Sequence, residues 1–391
     1  MSKVFIAGSV RTPIGSLNGA LSGLTAVELG KICASESLRR AGVEGTVVDE
    51  VVIGNVLQAG LGQNPARQIA IGCGVLTRIP SFTVNQVCGS GLKAIDLARR
   101  SIMSGDSKVA IAGGIESMSG APYILPALRQ GARLGECAAL DIVVSDGLTD
   151  AFGKYHMGVT AELVASKYAV SREAQDRFAL ESQQKCKKAI EKGIFNEEIV
   201  PVTIKQRKKE IVVDVDEHPR PETALESLSK LKPAFKPDGT VTAGNSSGIN
   251  DGAASVLLFS EESAPSCAAG KILVRDIVCV GCDPELMGMG PVAAIRALLS
   301  RQKIQIGDID VWELNEAFAA QSVAVLNELG IDAGRVNING GAIALGHPIG
   351  ASGARIVVTL IHQMKRQNAG FGIASLCVGG GMGLAILLEN V

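Results

Sequence analysis

Cys88 stands in VNQVCGSG (84–91), where an apolar run stops and the amphipathic run LKAIDLARRSIMSG begins. Strand, cysteine, glycines and helix in that order place a thiol at a helix N-terminus. Unpaired N–H groups and the positive end of the helix dipole there favour a thiolate. The glycines let a substrate approach the backbone closely. Two distant segments repeat the theme of a reactive group among glycines: GHPIGASG (346–353), carrying His347, and CVGGGMG (377–383), carrying Cys377. A nucleophile, a histidine and a second thiol on such turns suit covalent acyl transfer. Singly, each has a plainer explanation. Either cysteine could be a small core residue, and His347 a turn histidine satisfied by backbone.

The elements that must hold these groups follow from hydrophobic period. In the first half the pattern predicts strands near 3–9, 49–54, 81–86, 107–113 and 253–259, with helices near 25–41, 63–73 and 89–104. The second half repeats the order, with strands near 272–280, 308–313, 335–338, 371–377 and 383–389 and helices near 291–301, 316–330 and 350–366. SGLKAIDLARRSIMSGDSKVAIAGG (90–114) parallels SGARIVVTLIHQMKRQNAGFGIASLCVGGG (352–381). Two such halves should pack as pseudo-twofold mates with a site at their junction. Residues 115–250 interrupt the repeat with helices near 157–169 and 171–192 and a hairpin near 198–216. An excursion of this kind commonly covers a site or makes subunit contacts.

Composition narrows the function. The chain has 391 residues, 47% of them hydrophobic, with 46 glycines and a formal net charge of −1. That suits a tightly packed α/β enzyme and disfavours a nucleic-acid partner. The one basic run, KQRKK (205–209), reads as a solvated loop or a contact for a phosphorylated ligand. No apolar run approaches the ~20 residues of a membrane helix. The N-terminus reads as a first strand and ENV as no address signal, so a soluble cytoplasmic protein is expected. Nine scattered cysteines form no disulfide framework. Cys279 and Cys282 make a CxxC with no second pair for zinc and no helix for a thioredoxin motif, so it reads as structural.

VNQVCGSG, NEAF (315–318), GHPIGASG and CVGGGMG, in that order and spacing, resemble the thiolases over essentially the whole length, most closely the biosynthetic short-chain branch. The resemblance implies an α/β thiolase fold: two similar βαβαβαββ halves in a five-layered α-β-α-β-α arrangement with an inserted loop domain. The implied division is 1–118 with 250–268 for the N-terminal half, 119–249 for the loop domain, which binds coenzyme A and makes oligomer contacts, and 269–391 for the C-terminal half. The implied assembly is a homotetramer, a dimer of dimers. The implied reaction is reversible Claisen condensation of two acetyl-CoA to acetoacetyl-CoA plus CoA. Its substrates and products are the only small-molecule partners, with no metal and no resident cofactor.

By the same resemblance Cys88 carries the acyl group and His347 takes its proton. Cys377 removes the α-proton of the second acetyl-CoA. One oxyanion hole uses the histidine and a water held by Asn315. The other uses backbone N–H groups of Cys88 and Gly379. Asn315 also reads as the N-cap of the helix after it. YHMG (155–158) and GNSSG (244–248) fall where the family wraps coenzyme A. His156, Arg220 and Ser227 match residues around the pantetheine and adenine end, Ser247 the pantetheine arm, and Met157 and Met287 methionines near the acyl pocket. Ser246, alanine in many relatives, adds a hydroxyl. No potassium site is expected. A Cys88–Cys377 disulfide is conceivable if the thiols converge.

Other readings remain. A degradative 3-ketoacyl-CoA thiolase for longer chains is disfavoured by YHMG and Met287. Carrier-protein synthases use two histidines, or His and Asn, where this chain has His347 and Cys377. A non-catalytic coenzyme A or lipid binder would not need the intact set. GNSSG fits the serine-hydrolase elbow, with Asp251 downstream, but AASVLLF follows too soon for the required helix. No GxxxxGK[ST] is present, and GGGMG leaves no chain for a Rossmann unit.

Overall fold

The computed structural model describes residues 2–206, 209–264 and 272–391. Cys267, part of the basic run, and the proposed boundary at 268/269 lie outside the described residues.

The first strand, β1 (Val4–Arg11), leads to helix α1 (Ala26–Ala41). A capping box starts this helix: Thr25 Oγ1 accepts from Glu28 N, and Glu28 Oε2 accepts from Thr25 N at 2.7 Å. The first half continues with β2 (Glu50–Gly54), α2 (Pro65–Gly72), β3 (Ser81–Val84), α3 (Ser90–Ser104) and β4 (Val109–Ser117). After the insertion, β5 (Asn250–Ser260) completes it. The insertion holds α4 (Met157–Lys167), α5 (Arg172–Glu191) and a hairpin of Val202–Gln206 with Lys209–Val213. The second half runs β6 (Ile272–Gly281), α6 (Gly290–Gln302), β7 (Val311–Leu314), α7 (Ala319–Leu329), α8 (Ile349–Gln367), β8 (Phe371–Val378) and β9 (Met382–Asn390).

Strand order is β7-β8-β9-β6-β1-β5-β4-β2-β3, and its two arms mirror one another. Each arm has a parallel pair at its outer end, β2 with β3 and β4 in one and β7 with β8 in the other, and antiparallel pairs inward. The halves were expected as separate strand layers. Their ladders are joined edge to edge by a short antiparallel pairing, Phe5 with Leu273 and Ile6 with Ile272. Helices α3 and α8 lie against each other between the two arms, α1 and α2 cover the outer face of one, and α6 and α7 that of the other. That is the helix–strand–helix–strand–helix layering.

The central helices meet through glycines. A Cβ on Gly91 would lie 2.7 Å from Ala354 N, and one on Gly353 2.5 Å from Leu92 N. The contacts are reciprocal, as a pseudo-twofold axis between the helices requires. Leu92 and Ile95 of α3 and Ile356 and Leu360 of α8 then share one core, in which a large-to-small change costs about 2–5 kcal/mol.

One expected strand is missing. Residues 335–338 give only a bridge, Val336 to Trp312. Asn337 has φ 44°, which leaves the extended region. Its side-chain amide replaces a backbone rung by accepting from Leu314 N at 2.8 Å and donating to Leu314 O at 2.7 Å. The hairpin is shorter than expected. The insertion is fastened to β1 by a buried ion cluster: Arg11 donates to Glu198 Oε1 at 2.7 Å and forks onto Asp216 at 2.6 and 2.9 Å. Breaking such a cluster on one side is costly, because it strands a buried charge.

Candidate active site

Three residues after β3, the chain makes a forced turn. Val87 has φ 46°, a conformation a β-branched residue avoids. Side chains on both sides hold it there. Asn85 Oδ1 accepts from Val87 N at 2.9 Å, while Ser90 Oγ accepts from Gln86 N at 2.9 Å and donates to Val87 O at 2.7 Å. The turn presents Cys88 to a cavity of about 500 Å³, and Gly89 caps α3. The helix start favours a thiolate, but it is not the largest influence on Cys88. Burial pushes the Cys88 thiol up to about 11. N–H groups of Gly379 and of Cys88 itself pull it down and the Glu116 carboxylate pushes it further up, but desolvation is the largest cause. At neutral pH Cys88 rests as a thiol.

Cys377 ends β8, opposite Gly383 on β9. It is buried, and its pKa is strongly raised, first by desolvation and then by Cys88. The two thiols therefore lie within electrostatic reach, and both are free. Gly379 follows, with its N–H at the Cys88 sulfur. A Cβ there would come 3.2 Å from Val87 Cγ1, so a side chain would press on the nucleophile turn.

His347 follows Gly346, whose φ of 106° brings the backbone against Asn250. His347 N donates to Asn250 Oδ1 at 2.9 Å, and Asn250 Nδ2 donates to Gly15 O at 2.9 Å. The imidazole is buried, and Nδ1 lies 2.5 Å from Ser352 Oγ in the first turn of α8. Burial pushes its pKa down to about 4, with the Arg355 cation acting in the same direction. His347 is neutral at pH 7.

Asn315 directly follows β7, and its N–H donates to Ser375 O at 2.9 Å. It does not cap α7; Phe318 stands at that position without a side-chain bond. The Asn315 side chain is 1% exposed, and neither its oxygen nor its nitrogen has a hydrogen-bond partner among the described residues. A buried amide of this kind calls for an ordered water or a ligand group. Asn315 lies outside the cavity wall, to which Ala317 and Phe318 of the same segment belong.

Cys88, His347, Cys377 and Gly379 line one cavity. His156, Met157, Arg220, Ser247 and Met287 line it too. Ser227 does not. It lines an adjoining cavity of about 380 Å³ that shares His218, Arg220, Ala243 and Ser246 with the first. Its hydroxyl donates to Ala224 O at 2.6 Å. The added hydroxyl of Ser246 is committed to Thr242 O at 2.7 Å. β5 starts at Asn250, so the hydrolase helix has no room. Cys279, exposed, accepts from Gln86 Nε2 at 3.1 Å, and neither it nor Cys282 is in a disulfide.

Sequence reasoning missed several wall residues. Phe235 stacks on His156 with centroids 4.7 Å apart and meets Phe318 edge-on at 6.0 Å. His218, pushed down by burial, borders both cavities. Neither lies in a periodic segment. Their only signal was a histidine and an aromatic in a chain with four His and nine Phe.

Family profiles described as "Thiolase, N-terminal domain" and "Thiolase, C-terminal domain" match residues 4–262 and 270–390. A Pseudomonas aeruginosa protein named acetyl-CoA acetyltransferase is 51% identical over 100% of both chains. The crystal structure of the Bacillus anthracis acetyl-CoA acetyltransferase is 44% identical, with a TM-score of 0.96 over 100% of this chain and 99% of that one. Human mitochondrial 3-ketoacyl-CoA thiolase is 40% identical, also with a TM-score of 0.96, over 100% and 99% of the chains.

Proposed function

The chain belongs to the thiolase family, and on that premise we propose that it is an acetyl-CoA acetyltransferase that reversibly joins two acetyl-CoA into acetoacetyl-CoA and CoA. The observation that carries this reading is the convergence of Cys88, His347, Cys377 and Gly379 on one cavity. Making a free thiolate from a thiol of pKa about 11 costs roughly 5 kcal/mol at pH 7. The proton therefore moves as the bond forms. Cys88 Sγ attacks the thioester carbon, His347 takes the thiol proton, and the N–H groups of Cys88 and Gly379 receive the negative oxygen. The tetrahedral intermediate collapses, the proton passes to the departing CoA sulfur, and acetyl-Cys88 remains. A second acetyl-CoA binds, and Cys377, having passed its own thiol proton to neutral His347, removes the α-proton as a thiolate. His347 and a water held by Asn315 stabilise the enolate oxygen, for which the unpartnered Asn315 amide is suited. The enolate carbon attacks acetyl-Cys88, the Cys88 sulfur leaves and takes the proton held by His347, and acetoacetyl-CoA departs with all three groups back in their starting protonation states. Each oxyanion donor supplies a few kcal/mol. This route uses no resident cofactor.

His156, Met157, Ser247 and Met287 would flank the pantetheine arm and acyl group, and Arg220 and Ser227 the far end of coenzyme A, where the second cavity lies. The division 1–118 with 250–268, 119–249 and 269–391 and the homotetramer remain part of the proposal. In the loop region, Tyr123, Leu128, Leu134 and Phe152 are exposed apolar groups that a subunit contact would cover. No described helix is long and apolar enough to cross a membrane, and a cytoplasmic site of action is proposed.

Buried Met157 and Met287 in the cavity wall favour short acyl groups over the degradative, longer-chain alternative. Thiolysis of acetoacetyl-CoA should outrun that of 3-ketooctanoyl-CoA by about tenfold or more in kcat/KM. Equal or reversed preference would replace this assignment with the degradative one.

A further inference from the structure

We propose that Ser352 is a positioning residue that fixes the tautomer of His347, leaving Nε2 with the lone pair that takes the Cys88 proton. The inference rests on the reading of His347 as that base.

The argument is one of proton count. A serine hydroxyl has one hydrogen and two lone pairs. Ser352 Oγ lies 2.8 Å from Pro348 O and 2.5 Å from His347 Nδ1. A carbonyl oxygen can only accept, and Pro348 O, which also takes the Ala351 and Ser352 N–H groups, receives the hydroxyl hydrogen of Ser352. The contact with Nδ1 must then bring its own hydrogen, which makes Nδ1 the protonated nitrogen of a neutral ring. Ser352 is fully buried and His347 nearly so, which keeps bulk water from exchanging these partners.

The other half of the molecule supplies an independent observation. Aligning the two halves places Ser90 on Ser352, each in the first turn of its central helix. Ser90 Oγ likewise donates to a carbonyl of the preceding turn, Val87 O at 2.7 Å, and accepts an N–H, that of Gln86 at 2.9 Å. The hydroxyl aimed back at the turn is thus a device of both halves. In the second half its lone pair holds an imidazole instead of a backbone amide.

The choice of acceptor matters chemically. A carboxylate at Nδ1 would fix the same tautomer and make the ring a stronger base. A hydroxyl orients it without adding charge, and the charged group that acts on the ring among the described residues is a cation, Arg355. The imidazolium formed when Cys88 attacks is therefore a strong acid, which returns its proton readily to the departing CoA sulfur or donates to an enolate oxygen.

The test is magic-angle-spinning NMR of full-length enzyme carrying 15N-histidine, with only four histidines to resolve and His347→Asn to assign the signal. Wild type should show His347 with hydrogen on Nδ1. Ser352→Ala should shift it to the Nε2–H form that histidine favours in water. It should also slow single-turnover acetylation of Cys88 by about tenfold to a hundredfold, part of what a positioned base supplies. Ser352→Thr, which keeps the hydroxyl, should restore both. A wild-type Nε2–H signal overturns the proposal, and this reading needs no Ser352 variant to fold. An Ala variant that keeps the tautomer, or loses it with an unchanged acetylation rate, also overturns it. The underlying reading fails separately, through normal acetylation in His347→Asn, whatever the NMR shows.

Discussion

The turns that feed α3 and α8 begin from one plan and end in different chemistry. With Ser90 on Ser352, α8 runs one residue longer to its left-handed cap and the connection after it is one residue shorter, so the following strands start in register: Val109 falls on Phe371, Ile115 on Cys377 and Glu116 on Val378. Upstream, Asn85 falls on His347, Val87 on Ile349 and Cys88 on Gly350. In the proposed mechanism the first half thus supplies the nucleophile at a place where the second half has glycine. The second supplies histidine and acid–base thiol where the first has asparagine and a core isoleucine. The backbone differs too: Val87 is forced to a positive φ, while Ile349 is the first residue of a regular helix. The two halves share one scaffold, and in the proposed mechanism each commits different positions to the reaction. A site with one nucleophile and one acid–base group needs that asymmetry, since two identical half-sites would hold two of neither or both.

The comparison breaks first at its thiols. Cys88→Ala should abolish acetyl-enzyme formation and lower turnover by about 10⁴-fold or more. Cys377→Ala should still be acetylated by labelled acetyl-CoA yet form no carbon–carbon bond. If both variants lost acetylation equally, the division of labour between the halves would be wrong.

A smaller effect separates the same two thiols without mutation. Because burial raises Cys88 to about 11, its thiolate fraction grows about tenfold per pH unit below that value. Alkylation by an uncharged reagent should speed up about a hundredfold from pH 7 to pH 9 and keep rising. Cys377, more strongly raised, should lag behind throughout. A plateau in Cys88 alkylation below pH 8 would restore the resting thiolate that the helix start suggests.

Glu116 sharpens the contrast with Val378. It is buried at the end of β4, where it accepts from Asn55 Nδ2 at 2.7 Å and Gly350 N at 2.8 Å, among others. Burial nevertheless raises its carboxyl to about 7. A carboxyl raised on folding stabilises most below its unfolded value near 4.5, and that contribution is lost as pH rises to about 7. It amounts to about 3 kcal/mol at most. Glu116→Gln should flatten the stability–pH curve over this window, as read by thermal unfolding between pH 5 and pH 7. An unchanged slope would remove Glu116 as its source.

The reciprocal glycines test the symmetry itself. Gly91→Ala and Gly353→Ala should each cost about 1–3 kcal/mol, because each new methyl meets a backbone nitrogen of the other helix. Matching losses in Tm are expected. One harmless substitution beside one severe one would mean that the crossing is not equivalent from its two sides.

Much of this was legible because period and punctuation agree along the chain. The hydrophobic period over 25–41 announced α1, and the two Ser-Gly helix starts announced the repeat. The three glycine-rich motifs and NEAF pointed to residues that share one cavity or, for Asn315, lie just behind its wall. What failed depended on partners remote in sequence. Residues 335–338 look like a strand, but the Asn337 side chain takes over their rung. Asn315 looks like a cap, yet the helix waits until Ala319. Cys88 sits before a helix, and desolvation by walls from both halves outweighs the N–H groups that pattern promised. Phe235 and His218 reach the cavity from the irregular insertion, where no period marks which side faces inward.

The smallest expected effect concerns the strain that only the first half carries. A β-branched residue at φ 46° costs about 1 kcal/mol or somewhat more relative to one that tolerates the left-handed region. Asparagine does tolerate it, so Val87→Asn should raise Tm slightly despite losing apolar contact beside Gly379. Ile349→Asn, at the aligned but helical and fully packed position, should lower it. If the strain also aims the thiol, the relaxed turn should acetylate Cys88 more slowly even as the protein melts later. Opposite signs in stability and acetylation at Val87, with a plain loss at Ile349, would locate stored strain on the nucleophile's side alone. A destabilised Val87→Asn with unaltered acetylation would reduce the turn to ordinary packing.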